Sequence, residues 1–179
     1  QIQKTFEAIQ GAKNVILHFY NSTSTLQRKV VFKMDQAGIT KIATDAAAMI
    51  YEMSQPMIQA GVDIRYEYSP ESFMGTEMDA ADQICDAVMT ALHADADHRV
   101  ILNLPTTVEN CMPNHFADEL EYFIRNLPGR ERAIISLHPH NDRGTGVATT
   151  EMGLLAGADR VEATLFGNGE RTGNVDMVT

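Results

Sequence analysis

The chain has 179 residues, 44% of them apolar and 21% charged, the balance of a soluble globular protein with room for one sizeable core. Its 24 acidic residues outnumber 14 basic ones, for a net charge of -10 and a pI near 4.9, which excludes the clustered Lys and Arg of a nucleic-acid surface or a polybasic membrane patch. It has no signal-peptide pattern and no apolar run of bilayer length, and Cys85 and Cys111 lack metal-type spacing, so the expectation is a cytoplasmic protein with two reduced thiols.

Gln1 to Phe6 reads as helix interior with no initiator Met, so the chain is expected to begin partway along a longer protein. Five short runs rich in Val, Ile, Leu or aromatics follow as predicted strands: Asn14 to Phe19, Val62 to Tyr68, Val100 to Leu104, Ala133 to Leu137 and Arg160 to Leu165. Helical periodicity fills the gaps, over Thr40 to Ala60, Glu77 to His93, Asn114 to Asn126 and Gly144 to Ala156. Gly61, Gly129 and Gly157 stand where helices stop, and Thr76 ahead of Glu77 and Asp79 reads as a helix start. Strands alternating with helices require parallel pairing through helical crossovers, an α/β protein. No linker or short repeat interrupts residues 1–179, which are expected to form a single domain. Most of the 10 Met residues read as gap-fillers on buried helix faces.

Every predicted strand ends in polar residues. The fourth ends in Ser136-Leu137-His138-Pro139-His140-Asn141-Asp142-Arg143-Gly144. Residues i and i+2 of a strand point to one face, so His138 and His140 can reach one metal ion. Two imidazoles do not complete an octahedral site, and Asn174, Asp142 and Glu170 are the nearby oxygen candidates. Gly167, Gly169 and Gly173 either make a tight turn or let backbone amides approach an anion. Glu71, after Ser69-Pro70 at a strand end, reads as a functional carboxylate, with a salt-bridged structural acid as the alternative. His93, His98 and His115 read as surface or helix histidines. In a parallel barrel such strand ends meet at the C-terminal face and surround one pocket.

The ordered series HFYNSTS, YEYSPESF, NLPTTVEN, SLHPHNDRGTG and LFGNGERTGN resembles the 2-isopropylmalate synthase family, in its longer, second type. The resemblance covers essentially the whole chain. It implies part of a TIM (β/α)8 barrel, with about five parallel strands and crossover helices corresponding to family strands four to eight. The implied reaction condenses acetyl-CoA with 3-methyl-2-oxobutanoate to give 2-isopropylmalate and CoA in leucine biosynthesis, with a divalent metal (Mg, Mn or Zn) and a homodimeric parent enzyme. The resemblance makes His138, His140 and Asn174 metal ligands. It places His18, Tyr20, Ser69 and Thr107 around the keto acid, with Thr107 on its carboxylate. It makes Glu71 a catalytic or orienting carboxylate and sets Glu170 and Gly173 beside the CoA thioester and the metal loop.

The chain is expected to depart from the family by lacking its strands one to three, its final barrel helix, its linker subdomains and its C-terminal regulatory domain. The family's first strand carries an Arg-Asp pair whose Asp is a further metal ligand, and no such segment occurs here. The expectation is therefore the C-terminal part of a catalytic barrel without the leucine-sensing regulatory domain, inactive in isolation. Homocitrate synthase, citramalate synthase and an acyl-CoA lyase of the same superfamily share the metal motif and remain alternatives, as does a purely structural fragment.

Overall fold

A computed structural model describes residues 1–179. After α1 (Ile2–Ala8) come β1 (Asn14–Ser22), a short helical turn α2 (Thr25–Gln27), α3 (Gln36–Gln59), β2 (Asp63–Glu71) and α4 (Met78–Ala91). They are followed by β3 (Val100–Thr106), α5 (Pro113–Asn126), β4 (Ala133–Pro139), α6 (Gly146–Leu155) and β5 (Arg160–Val161). The five strands lie side by side in sequence order, and every neighbouring pair is parallel. Sequential parallel strands, each crossover carrying a helix, are the arrangement of a (β/α) barrel, as the alternating pattern requires.

Strand register explains how one sheet serves both packing and chemistry. It sets His18 beside Glu67, Tyr20 beside Ser69 and Ser22 beside Glu71. Further along, Asn103 lies beside Ser136, Pro105 beside His138, and Ser136 beside Arg160. Side chains alternate along a strand, so these polar groups share one face. The residues between them, among them Leu17, Tyr68, Leu102, Leu104, Ile135 and Leu137, point to the other face and are buried. There they join the apolar stripes of α3, α4 and α5 in a single core of 25 buried residues. Phe73 and Phe123 meet edge to face at 5.4 Å within it. Truncating a fully enclosed Leu such as Leu102 or Leu137 to Ala would cost about 2–5 kcal/mol.

Several boundaries differ from the sequence expectation. β1 to β4 run past the apolar stretches into their polar ends, because the ladder continues through Ser22, Glu71, Thr106 and Pro139. β5 is shorter than the expected Arg160 to Leu165. It pairs only with Ser136 and Leu137, and the chain then bends at Leu165–Gly167, where Phe166 takes a left-handed backbone. α3 begins at Gln36, because the Asp35 side chain accepts the Gly38 N–H at 2.8 Å. Thr76 does not cap α4. Its hydroxyl instead joins the Ser72 carbonyl and the Thr23 hydroxyl, and Glu77 takes the cap position. Arg28–Phe32 form a wide π-turn after α2 that no periodicity announced. Gly61, Gly129 and Gly157 all have positive φ, as helix-terminating positions prefer. Both cysteines are free, and no helix is long and apolar enough to cross a membrane.

Candidate active site at the C-terminal end of the sheet

His138 and His140 lie at and just past the end of β4, with ring centroids 5.3 Å apart. The His140 backbone N–H donates to Thr106 Oγ1 (3.0 Å), and its ring Nδ1 meets the Thr106 carbonyl oxygen at 2.8 Å. A carbonyl can only accept, so Nδ1 carries the proton and Nε2 keeps its lone pair. His138 Nε2 lies 3.0 Å from the Asn174 amide nitrogen, which can only donate, while its Nδ1 faces Glu162 Oε2 at 3.6 Å. Both rings are thus fixed in the tautomer that leaves Nε2 as a donor atom, each with an acceptor behind Nδ1, the usual support of a metal-binding histidine.

Asn174 is delivered by the loop after β5. This loop runs back along β4, with Asn141 N–H bonded to the Gly173 carbonyl, Val175 N–H bonded to the Pro139 carbonyl, and an antiparallel bridge between His140 and Asn174. Gly173 has φ +119°, and a Cβ there would stand 2.2 Å from the Gly167 carbonyl oxygen. A Cβ on Gly169 would stand 1.6 Å from Asn174 Oδ1. These glycines form a tight turn, and it seats Asn174 against His138.

The two other oxygen candidates part company here. Asp142 is engaged by Arg171 through Nε at 2.6 Å and Nη2 at 3.0 Å, and it accepts the Glu109 N–H at 3.0 Å. The Arg171 hydrogen bonds, followed by that backbone donor, hold its carboxyl far below the usual range. Asp142 is therefore occupied and is not a free ligand. Glu170 is mostly exposed, with Oε2 4.0 Å from His140 Nε2. No group of three or more His, Cys, Asp or Glu side chains gathers at metal-binding spacing; His138, His140 and Asn174 are the candidate donors that lie together.

The remaining expected residues lie along the same polar face. His18 Nε2 is 2.7 Å from Ser69 Oγ, and Tyr20, 66% exposed, stands over it with ring centroids 6.0 Å apart. Glu71, half-buried at the end of β2, accepts from Ser22 Oγ through Oε2. Thr107 Oγ1 accepts the Ser72 N–H at 2.8 Å.

Sequence reasoning missed a polar network under this site. Glu67 is buried and accepts from Asn103 Nδ2 (3.2 Å) and Arg160 Nη1 (3.3 Å). Glu162 accepts from Asn103 (2.7 Å), Ser136 Oγ (2.9 Å) and Arg160 (2.6 Å). Burial alone would raise the Glu162 carboxyl, but its contacts with His138, Ser136 and Arg160 outweigh that and lower it. Arg160 thus compensates the buried Glu67 and the half-buried Glu162, and Glu162 backs His138. The available signal was a charged or amide residue inside each apolar run, as in VDIRYEY, VILNL and RVEATL.

Sequential parallel strands whose C-terminal ends converge on imidazole, carboxylate and amide groups define an enzyme-type TIM-barrel sheet. The HMGL-like family model matches residues 1–179, and the chain belongs to the HMGL-like family. It is 62% identical over 178 residues to the 2-isopropylmalate synthases of Mesorhizobium japonicum and Rhizobium meliloti, covering 99% of this chain and 31% of each of those proteins. The 2-isopropylmalate synthase of Brucella suis is also 62% identical, with 32% of its length covered. The chain therefore spans about a third of the length of these relatives. The HMG-CoA lyase of Brucella melitensis superposes with TM-score 0.63 at 17% identity, over 98% of this chain and 60% of that one. The Acinetobacter baumannii HMG-CoA lyase, solved with coenzyme A and 3-methylmalate, gives 0.61 at 18%, over 98% and 54%. At such identities the likeness is one of fold.

Proposed function

We propose that residues 1–179 are the histidine-bearing, C-terminal part of the catalytic barrel of a 2-isopropylmalate synthase, which condenses acetyl-CoA with 3-methyl-2-oxobutanoate. The observation that carries this reading is the convergence of His138 Nε2, His140 and Asn174, with His140 Nδ1 bonded to the Thr106 carbonyl and His138 Nδ1 facing the Glu162 carboxylate. Such a donor set suits a divalent ion, and the turn that seats Asn174 leaves no room for a larger residue at Gly169. His138, His140 and Asn174 would hold it, Asn174 through Oδ1 once its amide turns from His138. When bound, the ion would polarise the ketone oxygen and offset the charge that develops there.

The other residues divide the remaining work. Thr107 Oγ1 already accepts a backbone N–H, so its own proton is free to donate to the keto acid's carboxylate. His18, braced by Ser69, and Tyr20 present polar and aromatic surface to the same substrate. Glu71 accepts from Ser22 at Oε2, which leaves Oε1 to hold or take a proton at the acetyl methyl. Glu170, exposed at the loop tip, would meet the thioester.

The test is thiol release by the full-length protein with acetyl-CoA and a panel of keto acids. Strong preference for 3-methyl-2-oxobutanoate, abolished by His138→Ala with His140→Ala, is the expected result. Preference for 2-oxoglutarate or pyruvate would move the protein to the homocitrate or citramalate synthases. Cleavage of an acyl-CoA in place of condensation would make it a lyase.

A further inference from the structure

Arg171 stands within the LFGNGERTGN motif but has been given no role so far, yet it ties three loops together. Its guanidinium bonds Asp142 twice, at 2.6 and 3.0 Å, in the loop after β4. Nη2 also donates to the Thr107 carbonyl at 2.7 Å in the loop after β3, and Nη1 donates to Glu170 at 3.2 Å in its own loop. Asp142 is itself anchored by the Glu109 N–H, and the buried Glu109 carboxylate accepts the Arg143 N–H at 2.6 Å and the Thr145 hydroxyl. The β3 and β4 loops are thus locked to each other before Arg171 arrives. The Arg171 backbone is held at φ +55°, a conformation that disfavours a side chain and persists only where surrounding contacts enforce it.

From this geometry we infer that Arg171 is a positioning residue: by seating on the Asp142–Thr107 platform it fixes the Gly167–Asn174 loop so that Asn174 and Glu170 face the histidine pair before any ligand binds. A planar, bidentate guanidinium fixes direction as well as distance, which an ammonium cannot do. Arg171 meets no donor atom of the trio and acts only through the loop.

The inference rests on the proposed metal site, and its test separates the two. In the full-length protein, Arg171→Gln and Arg171→Lys are compared with wild type for amide hydrogen exchange of residues 167–174 without metal, for affinity for Mn²⁺ alone, and for KM against kcat. Arg171→Gln should exchange at least tenfold faster across this loop and bind Mn²⁺ roughly 10–100-fold more weakly, as loss of an outer partner of a metal ligand does. The fall should appear in kcat with the keto-acid KM little changed, and Arg171→Lys should fall between the two. Unchanged exchange, or faster exchange with wild-type Mn²⁺ affinity, overturns the inference. A lowered melting temperature with wild-type affinity in the folded protein also overturns it, leaving Arg171 a structural brace. Should Arg171→Gln not fold, Arg171→Lys carries the same three comparisons. If the paired His138→Ala and His140→Ala variant keeps Mn²⁺, the metal-site reading itself falls. If that variant loses Mn²⁺ while Arg171→Gln keeps it, only the positioning role falls.

Discussion

Gly169 lies so close against Asn174 that a single added carbon would stand 1.6 Å from the Asn174 side-chain oxygen. That carbon is the whole difference between Gly169 and alanine. Gly169→Ala in the full-length protein should therefore push Asn174 off His138 and weaken Mn²⁺ binding by at least tenfold, while the core, far from this loop, keeps its melting temperature. Isothermal titration with Mn²⁺ and a thermal scan measure the two effects side by side.

His138 and His140 should be required for metal together and individually. Each Ala variant removes one of the two imidazoles proposed as donors, so bound metal per chain, read by atomic emission on the full-length protein, should fall from about one to near zero. Turnover should fall with it. Metal content near wild type in either variant would show that the donors lie elsewhere.

Glu71→Gln keeps the shape of the side chain and its contact with Ser22 but removes the charge. A positioned acid or base contributes roughly 10²–10⁴-fold, and turnover should fall by that factor with little change in melting temperature. A stability loss with an unchanged rate would mark Glu71 as a structural acid.

Asp82 gives a pH dependence of opposite sign to the usual carboxylate. It is 7% exposed in α4, and one of its oxygens has no partner. Burial, with a smaller contribution from Asp79, raises its pKa to about 6. A carboxyl raised above its unfolded value of about 3.9 is held protonated by the fold, so wild-type stability falls as pH rises from about 4 through 6. Asp82→Asn should gain about 1–3 kcal/mol at pH 7.5 and nothing at pH 4, as measured by urea denaturation at the two pH values.

The purified 179-residue chain, given acetyl-CoA, 3-methyl-2-oxobutanoate and excess Mg²⁺ or Mn²⁺, should release no thiol above background. The three donors proposed for the ion include no carboxylate, and Asp142, a well-fixed carboxylate in the neighbouring loop, is held by Arg171. Sustained, substrate-dependent release would show that these residues suffice.

Periodicity carried most of the architecture. Val, Ile and Leu in runs such as AIISL place a strand unambiguously, and the helix following each is written in its apolar spacing. Strand ends were harder, since Tyr20, Asn21 and Ser22 look like loop residues and are the last rungs of a ladder only because Ser69, Pro70 and Glu71 run beside them. The histidine pair was visible because i, i+2 spacing is local. The Arg171–Asp142 contact was not, because its partners lie 29 residues apart and meet only after the loop folds back on β4. Glu67, Asn103 and Glu162 escaped for another reason. A polar residue at every second strand position ordinarily means water on that side, and here Glu67, Asn103 and Ser136 on that side are buried.

Because alternate residues of each strand serve different masters, mutation can explore one without disturbing the other. Leu102 and Leu104 answer to the helices, while Asn103 between them answers to Glu67 and Glu162. Exchanges at His18, Tyr20 or Ser69 leave the apolar jigsaw beneath them untouched. New ligand preferences can therefore arise by drift on a scaffold whose foldability is inherited separately, and a library confined to these polar-face positions should lose ligands far more often than it loses folded protein.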